Sequence, residues 1–259
     1  MLINIIKERN FANGTVYGLK FDDGYPIEVT DTFLPYYTKD AIGKKTNILT
    51  SDNFGSRKER WMIGVSTMSG CPVGCAFCAT GKLKKYRNLT AKEIVAQVHF
   101  VLGRNKDKFD EAKEHKVNYT RMGEPFLNIN AVKEAIEEID FWYPGTHHYI
   151  STVGLKGSDF SWIKDNITLQ LSLHSLNEER RDQLIPIKKK MSIKELGQVR
   201  TNSKLKTTIN LTMANKDDWD IDELKKYFDK ENFFIKVSPI NPNEISEKNG
   251  MGKGIVRAL

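Results

Sequence analysis

From about residue 60 onward the sequence alternates between strand-like and helix-like segments, and this alternation narrows the fold more than any other feature. Arg60 to Thr67, Lys116 to Thr120, His148 to Thr152, Ile167 to Leu173, Leu205 to Met213 and Phe233 to Ser238 are β-rich runs. Helical patterns lie between them. Thr90 to Leu102 opens with the capping box Thr90-Ala-Lys-Glu93 and repeats Ile94, Val98 and Val101 on one face. Asn130 can cap a helix that turns Val132, Ala135, Ile136 and Ile139 inward. Ser158 to Lys164, Asn177 to Leu184, Ser192 to Arg200 and Asp220 to Asp229 complete the helical set. Strands joined by helical crossovers predict a parallel sheet, either open and doubly wound or curled into an incomplete barrel. In both, functional groups gather at the C-terminal ends of the strands.

The first 55 or so residues read as short strands and turns. Thr15 to Phe21 and Ile27 to Phe33 flank the turn signal Asp22-Asp23-Gly24-Tyr25-Pro26. The expected organisation is a small β-rich N-terminal extension, residues 1–58, on a core of residues 59–259. With 39% hydrophobic and 28% charged residues, collagen-like, mucin-like and wholly disordered chains are excluded. No apolar run approaches the roughly 18 residues of a membrane span. The start, Met1-Leu-Ile-Asn-Ile-Ile-Lys-Glu-Arg, lacks a basic leader and a cleavage site, so a soluble cytoplasmic protein is expected, with no membrane partner. Lys plus Arg number 40 against 33 Asp plus Glu, a net charge of +7. That balance suits a polyanion partner or a lysine-rich solvated surface.

All three cysteines fall in Gly70-Cys71-Pro-Val-Gly-Cys75-Ala-Phe-Cys78. An odd number packed into one short loop is a poor disulfide framework and points to a metal or cluster site in a reducing compartment. Three close thiolates can ligate three irons of a 4Fe-4S cluster and leave the fourth open to a small molecule. A structural zinc site is the main alternative, but such sites are normally closed by four ligands, and the nearest histidine along the chain is His99. Three buried, inert cysteines are the other.

The C-x3-C-x-aromatic-C spacing after the first core strand resembles the signature of the radical S-adenosylmethionine (SAM) superfamily. Further segments follow in order: Cys71 to Asn88, Gly123-Glu-Pro-Phe-Leu-Asn-Ile-Asn130, Ser151-Thr-Val-Gly154, Ser172-Leu-His-Ser-Leu-Asn177, Arg181-Asp-Gln-Leu-Ile-Pro-Ile187 and Pro239-Ile-Asn-Pro242. Over about residues 60 to 243 the set resembles the RlmN/Cfr family, which methylates adenine carbons in ribosomal and, in some members, transfer RNA. The resemblance implies an α/β fold, a partial (β/α)6 radical-SAM barrel, carrying the small N-terminal β extension. It implies that Cys71, Cys75 and Cys78 hold a 4Fe-4S cluster and that Gly123 and Glu124 meet the amino group of SAM. Ser151, Ser172, Leu173, His174 and Asn241 would line the rest of the SAM pocket. These types suit the task, because a carboxylate accepts from an ammonium, and hydroxyls and amides fix ribose and carboxylate. Each has a plainer reading alone: a turn at Glu124-Pro125, a helix cap at Ser151-Thr152, a core histidine at His174. The resemblance also implies an external one-electron reductant such as flavodoxin or ferredoxin, and a monomer is expected.

The chain departs from the family at three places. The family's methyl relay uses one cysteine near the C-terminus and a second seven residues before the first cluster cysteine. Here position 64 is Gly64, and no cysteine follows Cys78. The family's helical N-terminal RNA-binding domain has no counterpart, and neither does its general-base glutamate, so the catalytic acid or base stays unassigned. RNA remains the expected partner, by resemblance and charge. Lys82, Lys84, Lys85 and Arg87 surround Tyr86 beyond the cluster loop, and Lys188, Lys189 and Lys190 follow Pro186. Cations with an interleaved aromatic suit phosphates and a stacked base, and an exposed lysine-rich loop is the alternative. The reading is an enzyme that cleaves SAM to a 5′-deoxyadenosyl radical and acts on RNA without the two-cysteine relay. Its rivals are a radical SAM enzyme acting on a peptide or small molecule, and a catalytically silent Fe–S or RNA-binding protein.

Overall fold

A computed structural model gives the structure of the protein and describes residues 3–41, 44–213, 218–240 and 243–251. Two compact units divide the chain. The first is Met1–Ser69, Arg87–Gly123 and Asn128–Tyr149, and the second is Gly70–Tyr86, Glu124–Leu127 and Ile150–Leu259.

The first unit opens with an antiparallel meander of β1 (Ile3–Phe11), β2 (Gly14–Phe21) and β3 (Pro26–Leu34). A two-residue ladder, β4 (Thr38–Lys39) with β5 (Lys45–Thr46), follows. The first core strand, β6 (Arg60–Val65), pairs antiparallel with β3, so that Thr30 faces Gly64. The meander and the core strand therefore share one sheet. Alternation explains β2 and β3: Tyr17, Leu19, Phe21, Ile27 and Val29 are buried, with polar residues between them. Asp31 is a buried anchor, taking two nitrogens of Arg57, the Trp61 indole N–H and Asn105. A short ladder of β7 (Met68–Ser69) and β8 (Arg87–Asn88) precedes α1 (Ala91–Gly103). The capping box forms as expected, and Ile94, Val98 and Val101 are fully buried. β9 (Glu114–Tyr119) runs parallel to β6, and α2 (Ile129–Trp142) packs on α1. β10 (His147–Thr152) begins in this unit and ends in the second.

The second unit adds β11 (Ile167–Ser172), α3 (Glu178–Leu184), α4 (Ile193–Gly197), β12 (Thr207–Met213), α5 (Ile221–Tyr227), β13 (Phe233–Pro239) and α6 (Glu244–Lys248). β11, β12 and β13 are mutually parallel, with Leu171 opposite Ile209 and Ile209 opposite Ile235. Asn177, Ser192 and Asp220 cap α3, α4 and α5 by accepting from backbone N–H groups of the first turn. The six core strands β6, β9, β10, β11, β12 and β13 are those that the alternation predicts.

Two local expectations need correction, and two elements go unpredicted. Ser158 to Lys164 forms no helix, because Asp159 accepts from both the N–H and the hydroxyl of Ser161 and locks a turn. α2 starts at Ile129, before Asn130, and the residue ahead of it, Asn128, donates to the Thr67 and Leu89 carbonyls and does not cap. β1 went unanticipated because Ile-Asn-Ile-Ile-Lys-Glu-Arg-Asn-Phe lacks alternation. It is exposed along nearly its whole length and held by its ladder to β2 and by Arg104 on Glu8 at 3.0 Å. The short α6 also escaped the sequence reading. Among the described residues, no helix is long and apolar enough to cross a membrane.

Candidate functional site

The cysteine loop, residues 70–86, lies wholly in the second unit. Gly70 makes its closure possible. Its φ is +71°, and a Cβ there would stand 2.6 Å from the Lys85 carbonyl oxygen and 2.9 Å from Tyr86 Cβ. Within the loop the Cys78 N–H donates to the Cys75 carbonyl at 3.1 Å and the Gly81 N–H to the Cys78 carbonyl at 3.1 Å. The loop is tied down from outside as well. The Ala76 N–H donates to the Leu184 carbonyl at the end of α3 (2.9 Å). Asn243 and Asn249, which bracket α6, donate to the Phe77 and Ala76 carbonyls at 2.9 and 2.6 Å, and Lys82 pairs with Glu244 at 2.5 Å. Cys71, Cys75, Ala76 and Phe77 rest on an apolar bed of Val73, Val153, Leu184, Ile185, Ile240 and Met251.

All three cysteines are free thiols of intermediate exposure. Burial pushes the Cys71 thiol up to about 11 and Cys75 higher still, and the neighbouring thiols and Glu124 push the same way. Without a bound cation, Cys71 and Cys75 stay protonated at neutral pH. Among the described residues no group of three or more His, Cys, Asp or Glu side chains is placed to hold a single metal ion.

Glu124 is the second element of the site. It is 3% exposed. One carboxylate oxygen accepts the Val153 N–H at 2.9 Å, the other accepts the Phe126 N–H at 3.1 Å, and the Thr152 hydroxyl assists. No cation pairs with it among the described residues. Burial raises its pKa against these three donors. Burial without a charged partner favours the neutral acid, and a cation brought beside it would favour the carboxylate.

The strand ends supply the rest. Ser151 on β10 and Ser172 on β11 lie hydroxyl to hydroxyl at 3.2 Å. The Leu173 side chain is fully buried, and its N–H and that of His174 both donate to the Asn210 carbonyl. His174 takes a left-handed φ of +64°, rare for a residue with a Cβ. Its Nδ1 accepts the Thr212 N–H at 3.1 Å, and its ring meets Phe77 edge-on at 4.8 Å. Burial, seconded by the Arg181 cation, pushes this imidazole down to about 3, so it is neutral. Asn241 lies outside the described residues. Gly123 ends the first unit's central segment, next to Met122, whose carbonyl accepts from the Thr67 and Met68 N–H groups.

The basic residues fare differently from one another. Lys84 and Lys85 are exposed and form no ion pair among the described residues, with Tyr86 53% exposed beside them. Lys188 and Lys189 are likewise exposed. Lys82 is engaged by Glu244, and Lys190 is buried against Asp182. Arg87 belongs to the first unit, where Asp23 and Glu93 hold it at 2.6 and 2.7 Å. Sequence reasoning missed Arg181 as an individual. Arginine is usually exposed, and nothing in Arg181-Asp-Gln-Leu-Ile-Pro signals that this one is fully buried.

Over part of its length the chain resembles known proteins. No family model matches the chain. It is 38% identical over 147 residues to the "Probable dual-specificity RNA methyltransferase RlmN" of Dictyoglomus turgidum, covering 54% of this chain and 42% of that protein. The protein so described from Thermotoga petrophila is 33% identical over 191 residues, 69% of this chain and 54% of the relative. The chain thus spans about half the length of the curated relatives it matches. A radical SAM methyltransferase from Sphaerobacter thermophilus superposes with a TM-score of 0.67 at 22% identity, covering 93% of this chain and 67% of that one. That likeness establishes the fold, the partial radical-SAM barrel that the motifs imply.

Proposed function

We propose that this chain, a relative of the RlmN/Cfr-like radical SAM family, is an enzyme that binds a 4Fe-4S cluster and SAM and modifies RNA. The observation that supports the reading is the buried Glu124 side chain, cation-free among the described residues, acting on Cys71 and Cys75, which share one apolar bed. The thiol set fits a cluster, because Cys71 and Cys75 can ionise only against a bound cation. Together the cluster and SAM supply reductive cleavage of the sulfonium, by one electron from a donor such as flavodoxin or ferredoxin, to methionine and a 5′-deoxyadenosyl radical.

The chain's own residues orient and shield. Cys71, Cys75 and Cys78 would hold the cluster, and the two asparagine clamps fix the loop that presents them. Glu124, Gly123 and Asn241 would receive the amino and carboxylate end of SAM, with Glu124 accepting from its ammonium. Ser151 and Ser172 offer hydroxyls for the ribose, and neutral His174 can donate through Nε2. Val153, Leu184 and Ile185 pack beneath Cys71 and Cys75. Lys84, Lys85 and Tyr86 suit phosphates and a base of RNA, a partner in keeping with the names of the relatives and the net charge of +7.

The chemistry on RNA would differ from the two-cysteine relay. Position 64, where the resolving thiol would stand, is Gly64, and a Cβ there would lie 2.3 Å from Thr30 Oγ1. The place is filled by Thr30 and the stem of Arg121. The test is product analysis after the reduced, reconstituted protein meets isotopically labelled SAM and total cellular RNA. SAM-dependent modification of RNA is expected. SAM cleavage with untouched RNA would move the substrate to a peptide or small molecule.

A further inference from the structure

Arg181 is fully buried on α3, and its one ion pair among the described residues is long. The partner, Glu178, stands 4.0 Å away and is itself 47% exposed. Its guanidinium donates to two neutral carbonyls, Met191 at 2.5 Å and Val153 at 2.9 Å, and its Nε has no partner. A buried cation paired only at long range with a half-exposed carboxylate is costly, and a further negative charge brought close would offset that cost. The local geometry says where that charge would be. The last turn of α3 that carries Arg181 ends at Leu184, whose carbonyl takes the Ala76 N–H, next to Cys75. The Val153 peptide links the two buried charges, with its N–H on Glu124 and its carbonyl on Arg181. Burial acts most on the guanidinium, Glu178 and Asp182 oppose it, and a Cys75 thiolate held by a cluster would act with those carboxylates.

We propose that Arg181 is the fixed countercharge of the cysteine loop and makes the cluster held there easier to reduce. The inference rests on the cluster reading above. One electron from an external low-potential donor enters the cluster and leaves the site one unit more negative. A fixed cation stabilises that state more than the oxidised one. Burial keeps water from screening the effect, and the bonds to Met191 and Val153 keep the guanidinium from swinging away.

The experiment is potentiometric titration of the full chain, reconstituted anaerobically with iron and sulfide, without SAM. Parent, Arg181→Gln, Arg181→Lys and Glu178→Gln are compared, with iron content and melting temperature recorded for each. Arg181→Gln should hold about tenfold less reduced cluster at a fixed potential, a midpoint about 59 mV more negative. Arg181→Lys, which keeps the charge, should stay near the parent. Glu178→Gln removes the carboxylate that partly cancels Arg181 and should move the midpoint the opposite way. A purely structural Arg181 would produce no such pair of opposite shifts. Unmoved midpoints in Arg181→Gln and Glu178→Gln, or a lysine variant displaced as far as the glutamine one, would overturn the proposal. Should Arg181→Gln fail to hold a cluster, Arg181→Met, uncharged and of similar length, takes its place, with the same negative shift expected and an unmoved midpoint overturning the proposal. A parent that assembles no iron cluster overturns the cluster reading with it, whereas a parent cluster insensitive to both substitutions overturns only this inference.

Discussion

His174 shows how one residue can join strain, burial and charge. Its left-handed φ of +64° turns the chain at the end of β11, and its neutral ring accepts the Thr212 N–H. Protonation would remove that acceptor inside the protein. Its folded pKa of about 3 lies below the usual histidine value of 6.5, so the unfolded chain binds more protons between those limits. Stability therefore rises with pH through that window and is lost as pH falls below 6.5. By pH 5 this one group should cost about 2 kcal/mol. His147, pushed down to about 4 by burial and by Lys116, adds a smaller loss of the same sign because it is partly open to water. Urea midpoints at pH 7 and pH 5 check this, and His174→Asn should flatten the slope. Glu124→Gln removes the charge and keeps one of the two hydrogen-bond acceptors. Calorimetry should find SAM bound roughly 10- to 150-fold more weakly, with the cluster intact, in line with loss of a charge-assisted bond of about 1.5–3 kcal/mol.

At the scale of elements, the packing of β3 on β6 fixes what position 64 can hold. Gly64→Ala drives a methyl to 2.3 Å from Thr30 Oγ1 and 3.0 Å from Arg121 Cδ, both within the first unit. It should destabilise the protein by about 1–3 kcal/mol, and Thr30→Ala in the same chain should recover most of that in a double-mutant cycle of denaturant unfolding. In the second unit, α6 holds the cysteine loop through Asn243 and Asn249. The double variant Asn243→Ala, Asn249→Ala loses the two bonds to the loop, worth about 1 kcal/mol each, and with Asn243 the cap of α6. Amides of residues 75–82 should then exchange with deuterated water at least about tenfold faster, with exchange in β2 and α1 unchanged. These elements also show what sequence reading reaches. The capping box at Thr90 and the buried stripe of α2 were legible because local chemistry and periodicity decide them. β1 was not, since its place comes from pairing with β2 and it buries almost nothing. The turn at Ser158 to Ser161 was misread because Asp159 diverts the backbone with its side chain. Gly64 read as a missing thiol, but its close contact with Thr30 comes from strand pairing, which no local pattern carries.

For the whole molecule, the order of the motifs along the chain was the legible part. Each strand end supplied one short segment, and the fold gathers Cys71, Cys75, Glu124, Ser151, Ser172 and His174 into a single compact unit. The contribution of Arg181 was hidden, because its burial follows from the approach of α3, Val153 and Met191, three segments distant in sequence. The basic residues were legible only as a set. Pairing engages Lys190 and Arg87 and ties the still-exposed Lys82 to Glu244, whereas four lysines, Lys84, Lys85, Lys188 and Lys189, are exposed. Alanine at those four lysines should weaken RNA binding and flatten its salt dependence, whereas alanine at Arg87 should act on stability instead. The central claim is that this chain uses its three cysteines and Glu124 to cleave SAM reductively. The direct measurement is 5′-deoxyadenosine released per chain when the anaerobically reconstituted protein is reduced in the presence of SAM. The account predicts 5′-deoxyadenosine from the parent and none from Cys75→Ala. An iron-loaded, reduced parent that leaves SAM intact would contradict it.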